Sequence, residues 1–349
     1  MRHSRKSLQR FAECGAIYIN LIIIKYYENF KRKEVINLSV FKSYNECFEM
    51  NEQLMITLKE MGNIYEIDYC SRPNISPNIT LIDKNHYLLN KTGEILDCNH
   101  IENRSQNKFQ VGQSLKRLRD LINTNLVIPN QWKWITLTYK KNMRDSKQLY
   151  LDFDKFMKKL RYRYSSYRIS YIIACEPQAR GAWHIHLLLG FNDTAPFIPN
   201  ATIEAIWGKG FTKTNKLDNI DNIGAYLTAY LGDMELTEDN FATLNKKGLK
   251  IAKNDIKTIT EIDGIKLKEP KSFIKGGRLY LYPPKFNLYR ASRDMKKPIV
   301  SKVPYYKAKE KIGIGLPTYK SCINIYDTTN SFTNTYYYEY YNKSRKICK

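Results

Sequence analysis

Two of the five histidines in this 349-residue chain stand two residues apart, His184 and His186, within the apolar run Trp183-His-Ile-His-Leu-Leu-Leu189. In a β-strand, residues i and i+2 face the same side, so both imidazoles can converge on one cation. A third ligand has to come from elsewhere. Glu176 ends the preceding apolar run, and a hairpin through Pro177 to Gly181 would bring its carboxylate beside the pair. Two imidazoles and one carboxylate, with coordination positions left open, suit a catalytic divalent ion better than a closed structural zinc. The competing reading is two histidines lining a half-buried strand face, where each would still need a polar partner.

Some forty residues on, Tyr226 and Tyr230 stand four apart in Asn222-Ile-Gly-Ala-Tyr-Leu-Thr-Ala-Tyr-Leu-Gly-Asp233. On a helix both hydroxyls project from one face. Spacing alone is equally compatible with a packing pair, since the chain has 27 tyrosines and Tyr65/Tyr69 and Tyr167/Tyr171 repeat the interval. What distinguishes Tyr226/Tyr230 is its company: a candidate metal strand upstream, a helix with Asp221 or Asn222 as N-cap, and a basic chain.

The elements that must position these groups are legible from periodicity. Residues 114–124 form an amphipathic helix with Leu115, Leu118, Leu121 and Ile122 on one face. Residues 134–139 alternate as a strand. Residues 146–164 form a helix with Leu149, Phe153, Phe156 and Leu160 inward. Strands follow at 169–174 and 183–189, then a short helix at 203–207, a short strand at 210–214 and a helix at 222–231. This order predicts an α+β fold, a mostly antiparallel sheet covered by helices on one side. Texture divides the chain into 1–105, of no assignable role, a functional domain at 106–235, and 236–349, which ends in a Tyr/Asn-rich tail.

Lys and Arg total 57 against 34 Asp and Glu, a formal charge of +23, with 43% hydrophobic residues. The chain can bury a core, and its charge points to a polyanionic partner. Nucleic acid is favoured over a membrane, because the longest apolar run, Ile17 to Ile24, is far short of the ~20 residues a span needs. Seven cysteines without a C-x-x-C pair make neither a disulfide framework nor a zinc ribbon. Cys70, His86, Cys98 and His100 match no metal-binding spacing. With no secretion signal apparent, a reducing cytoplasm is expected. No P-loop is found, since Gly315-Leu-Pro-Thr-Tyr-Lys-Ser321 lacks the glycine before Lys320, so no nucleotide cofactor is expected.

Residues 114–233 resemble the HUH endonuclease superfamily, in particular rolling-circle replication initiators (Rep proteins) of bacterial plasmids and single-stranded DNA phages. Three stretches carry the resemblance in order: Trp134-Ile-Thr-Leu-Thr-Tyr139, His184-Ile-His186, and Tyr226-Leu-Thr-Ala-Tyr230. The step from Glu176 to His184 and the stretch Ile274-Lys-Gly-Gly-Arg-Leu-Tyr-Leu-Tyr-Pro283 are similar to plasmid Rep sequence as well. The resemblance implies a ferredoxin-like core, a central antiparallel sheet flanked by helices, with N- and C-terminal extensions. It implies a metal-dependent nickase in a bacterial cytoplasm, with His184, His186 and Glu176 holding Mg²⁺ or Mn²⁺ and Tyr226 forming a 5′-phosphotyrosine link to origin DNA. Many two-tyrosine members carry Lys before the second tyrosine. Ala229 stands there in this chain, which leaves open whether Tyr230 is a second nucleophile. With no helicase motif, a host helicase is an expected partner. Expected DNA contacts are Lys116, Arg117 and Arg119, then Lys158, Lys159, Arg161, Arg163 and Arg168 interleaved with Tyr162, Tyr164 and Tyr167, and Arg180 beside the histidine strand. The alternatives are a transposase or relaxase of the same superfamily, and a non-catalytic DNA-binding regulator on the same scaffold.

Overall fold

The computed structural model describes residues 40–44 and 49–344, apart from 74–76, 99, 216, 218–222, 230, 248, 250, 252–254, 263–264 and 328–330. It divides into two compact units: residues 102–297 form one, and residues up to 101 together with 298 onward form the other.

Along the chain, the terminal unit begins with β1 (Val40–Tyr44), β2 (Met55–Met61) and β3 (Ile64–Cys70). Three short strands follow, β4 (Ile79–Leu81), β5 (His86–Leu89) and β6 (Ile95–Asp97). The central unit then runs through helix α1 (Lys108–Asn125), β7 (Trp132–Thr138), α2 (Ser146–Arg163), β8 (Ile169–Pro177) and β9 (Trp183–Phe191). It continues with α3 (Asn200–Trp207), β10 (Thr212–Asn215), α4 (Ile223–Ala229), β11 (Met234–Glu235), α5 (Glu238–Lys246), β12 (Ile256–Ile262), β13 (Ile265–Ile274) and β14 (Tyr289–Ala291). The chain returns to the terminal unit for β15 (Ile299–Pro304), α6 (Tyr305–Ile312), β16 (Tyr319–Asp327) and β17 (Phe332–Asn342).

The terminal unit is built on a six-stranded antiparallel sheet in the order β1-β16-β17-β3-β2-β15, so both ends of the chain share one sheet. Its core holds Ile56, Leu58, Ile67, Tyr337 and Tyr341 against Ala308 and Ile312 of α6. Buried Glu339 accepts the hydroxyls of Tyr305, Tyr337 and Tyr341 at 3.1, 2.6 and 2.6 Å, fastening α6 to the sheet.

The central unit is a five-stranded antiparallel sheet, order β10-β7-β9-β8-β14, beside a three-stranded sheet β11-β13-β12. The element order read from periodicity is the order observed. The sheet is covered on both faces rather than one, because β8 and β9 are apolar at both parities. Ile173, Cys175, Ile185, Leu187 and Leu189 pack against Leu149, Phe153, Phe156 and Leu160 of α2 and Ile203 and Trp207 of α3. Trp134, Ile172, Ala174 and Leu188 pack against Leu118 and Ile122 of α1 and Ile223 and Leu227 of α4. The side chain of Asp145 caps α2 by accepting the amides of Lys147 and Gln148.

Candidate active site

The β8–β9 hairpin sets the site. Its turn closes with Gln178 N–H on Ala182 O at 2.8 Å and Gly181 N–H on Gln178 O at 2.7 Å. That register places Glu176 directly opposite His184, and Ala174 opposite His186. All three functional side chains therefore leave the sheet on the face covered by α1 and α4. Both Nε2 atoms converge on Oε2 of Glu176, at 2.9 Å from His184 and 3.2 Å from His186. The ligand atoms of the three residues lie within 4.8 Å of one another.

The two oxygens of Glu176 have different tasks. Oε1 accepts the backbone N–H of Gly232 at 2.9 Å and pairs with Arg278 at 2.8 Å, leaving Oε2 to face the imidazoles. Burial alone would raise this carboxyl, which is 4% exposed. The Arg278 guanidinium and the bonds from both histidines outweigh it and hold the acid well below the usual carboxylate range. His184 moves down as well, chiefly by burial. At neutral pH it is a neutral imidazole, the form that ligates metal.

The donor set fits a divalent cation. Two imidazole nitrogens and an anchored carboxylate oxygen point at one spot, and the histidine side chains keep 14% and 18% exposure, so one side stays open. Nδ1 of His186 is buried with no hydrogen-bond partner among the described residues, so no protein acceptor holds its tautomer. The His186 ring lies edge-on to Trp134 at 6.3 Å.

Tyr226 lies on α4, and its side chain is outside the described residues; Tyr230 lies outside them altogether. The helix itself is well located. Ile223 and Leu227 are buried with Trp134, Ala174 and Leu188, on the sheet face that carries Glu176, His184 and His186. Gly224 lets α4 approach α1: a Cβ there would stand 2.5 Å from Asn123 Oδ1 and 2.7 Å from Arg119 O. The chain leaving α4 reaches Gly232, whose N–H holds Glu176.

The expected basic contacts divide. Arg117 is exposed and Lys116 half-buried on α1. Arg119 is instead buried and bonded to Asp120 at 2.9 Å, because its helix position faces the interior. Lys158, Lys159, Arg161 and Arg163 are exposed on α2, which packs on the sheet face opposite the triad. Arg161 also donates to Ile169 O, and Arg168 pairs with Asp294 at 3.5 Å. Tyr162 is 87% exposed, whereas Tyr164 and Tyr167 pack on the core. Arg180 donates to Tyr139 O at 2.7 Å from the turn that joins Glu176 to His184.

Sequence reasoning missed Arg278. It reaches the site through a loop after β13, where Arg278 N–H donates to Gly232 O at 2.7 Å and its side chain donates to Asp233 O and Pro177 O. Gly276 N–H donates to Asp233 Oδ1 at 2.8 Å, and Lys257 pairs with the same carboxylate. The one signal was the Lys275-Gly276-Gly277-Arg278 stretch, which carries no role of its own in the sequence.

Residues 132–235 match a family model for replication-associated proteins of the ORF2 type. The match opens on β7 and closes on β11, enclosing the triad and α4, and it indicates a replication initiator-type protein. No curated protein and no solved structure matches the chain. No helix among the described residues is long and apolar enough to cross a membrane.

Proposed function

We propose that the chain is a site-specific, single-strand DNA nicking and joining enzyme that initiates rolling-circle replication through a covalent tyrosine link. The observation that carries this reading is the bond from Gly232 to Glu176. It ties the segment that follows Tyr226 and Tyr230 to a carboxylate shared by two imidazoles, so the candidate nucleophiles and the candidate metal ligands belong to one site.

His184, His186 and Oε2 of Glu176 would hold the divalent ion, Mg²⁺ or Mn²⁺. When bound, it would supply Lewis-acid neutralisation of charge on the scissile phosphate. Arg278 and Gly232 keep Glu176 ionised and its free oxygen aimed. Tyr226 loses its hydroxyl proton to solvent and its oxygen attacks phosphorus. The P–O3′ bond breaks, leaving a 3′-hydroxyl and a 5′-phosphotyrosine. The phosphoester energy is retained, so a later attack by a 3′-hydroxyl, or by Tyr230 as second nucleophile, rejoins the strand without a nucleotide cofactor. Arg117 and Lys116 on α1 supply phosphate contacts, and a host helicase supplies strand separation.

The test uses the pure chain and Tyr226→Phe, Tyr230→Phe and double variants, incubated with single strands tiling the DNA that carries the gene. Reactions run with Mn²⁺ or EDTA and are resolved under denaturing conditions. An SDS-stable protein–DNA band that needs both Mn²⁺ and Tyr226 is expected. A chain that binds the tiles yet forms no such band on any of them overturns the enzyme reading in favour of a DNA-binding regulator.

A further inference from the structure

The tip of the β8–β9 hairpin carries a second concentration of charge. A pocket of about 280 Å³ opens there, lined by Arg144, Arg180, Gly181, Trp183, Lys247 and Tyr280. Its two guanidiniums are built into place. Arg144 donates to Arg180 O at 2.7 Å. Arg180 donates to Tyr139 O at 2.7 Å and to Gln178 Oε1 at 3.0 Å. Gly181, at φ +88°, makes room for the first, since a Cβ there would stand 2.9 Å from Arg144 Nε.

Every acceptor these two guanidiniums meet is neutral. Among the described residues no carboxylate pairs with Arg144, Arg180 or Lys247. Three like charges gathered around one cavity repel one another unless an anion enters, and guanidinium forks match phosphate oxygens. Tyr280 adds a half-buried ring to the same wall. Cations beside an aromatic face are what a single strand needs, one for its backbone and one for a base.

The position is also specific. The next strand pair beyond Glu176 and His184 is Pro177 with Trp183, and the pocket begins there. At roughly 3.3 Å of strand rise per residue, a phosphate in the pocket and one at the triad can belong to one short piece of backbone. We propose that this pocket is a phosphate subsite for the single-stranded DNA adjoining the cleaved step, with a base stacked on Tyr280. The proposal rests on the nicking reading for its choice of ligand.

The test measures binding alone, in EDTA, so that no cleavage enters. A fluorescein-labelled single strand of mixed sequence, about twice the length one binding module covers, is titrated with full-length chain across a range of salt. Each lost phosphate contact makes the slope of log K against log[salt] shallower by about 0.7 for a single strand. Arg180→Gln with Lys247→Gln should therefore lower it by about 1.4, and Lys247→Gln alone, at an exposed position, by about 0.7. The control pair Lys84→Gln with Lys91→Gln removes the same charge from exposed turns of the terminal unit and should leave the slope unchanged. Tyr280→Ala should weaken single-strand binding about tenfold, within the range for a lost stack, and Tyr280→Phe should restore it. Tryptophan-fluorescence melts of each variant verify folding.

Equal slopes for the pocket and control variants overturn the subsite, as does wild-type affinity in Tyr280→Ala. An equal loss in Tyr280→Ala on duplex of the same sequence overturns the stacked base. The two readings separate cleanly. Expected binding changes with no SDS-stable adduct refute nicking and leave the subsite standing, whereas a normal adduct with unchanged pocket-variant binding does the reverse.

Discussion

Replacing Glu176 by Gln keeps the side chain's size and removes its charge, which sets two effects that can be measured apart. The first is stability. Arg278 is 19% exposed and Glu176 6%, so the substitution strands a largely buried guanidinium. Removing one partner of a buried pair costs about 3–5 kcal/mol. The lower end applies here, because Arg278 keeps the carbonyls of Asp233 and Pro177. For a unit of this size each kcal/mol moves the midpoint by roughly 2–4 °C, so the variant should melt about 6–12 °C lower in EDTA. All four tryptophans, at 132, 134, 183 and 207, lie in the 102–297 unit, so their fluorescence reports its unfolding. The second effect is on ligation. Mn²⁺ that binds only the folded state raises the wild-type midpoint by mass action, and Glu176→Gln should lose most of that gain. A variant that melts with the wild type in EDTA and gains equally from Mn²⁺ would show that neither the ion pair with Arg278 nor the ligand assignment holds.

Acid should weaken the same unit in two stages. His184 is depressed in the folded state, so protonation is penalised and stability begins to fall as pH drops below about 6.5; Glu176, also depressed, adds a loss below about 4.5 as pH falls towards its folded value. Glu176→Gln should abolish the second stage in tryptophan-monitored melts. Gly224→Ala places a Cβ 2.5 Å from Asn123 Oδ1 and must push α4 off α1, so we expect a loss of about 1–3 kcal/mol by denaturant titration and a parallel loss of tyrosine adduct. Glu339→Gln removes the charge that gathers three tyrosine hydroxyls, so near-ultraviolet tyrosine dichroism should melt earlier, by the equivalent of about 2–3 kcal/mol, while tryptophan fluorescence holds its midpoint. A coincident shift of both signals would refute the independence of the two units.

Much of the central unit was legible because its cues are local. Leu149, Phe153, Phe156 and Leu160 recur at helical spacing. His184 and His186 share a face because a strand has period two. The short turn after Pro177 forces the hairpin that returns Glu176 to His184. Those patterns suffice for the element order and for the triad as a set of neighbours. Helices on both faces were harder to read, since an apolar run does not reveal that its two parities bury against different partners.

The rest was decided by contacts between residues remote in the chain. Local pattern does not reveal that Arg119 turns inward to Asp120 while Arg117 faces solvent, because both sit on the same basic stretch of helix. Nor does it reveal that residues 40–70 and 299–342 share one sheet, since cross-strand pairing depends on register and not on proximity in sequence. Arg278 is the sharpest case. It is one arginine among many basic residues until a loop after β13 folds back and its guanidinium meets Oε1 of Glu176. The types and spacing of His184, His186 and Glu176 suffice to define the candidate chemistry. The charge state and aim of the carboxylate, and the tie from Gly232 to the tyrosine helix, are set only by tertiary packing, because burial and the choice of a distant partner do not exist until the chain is folded.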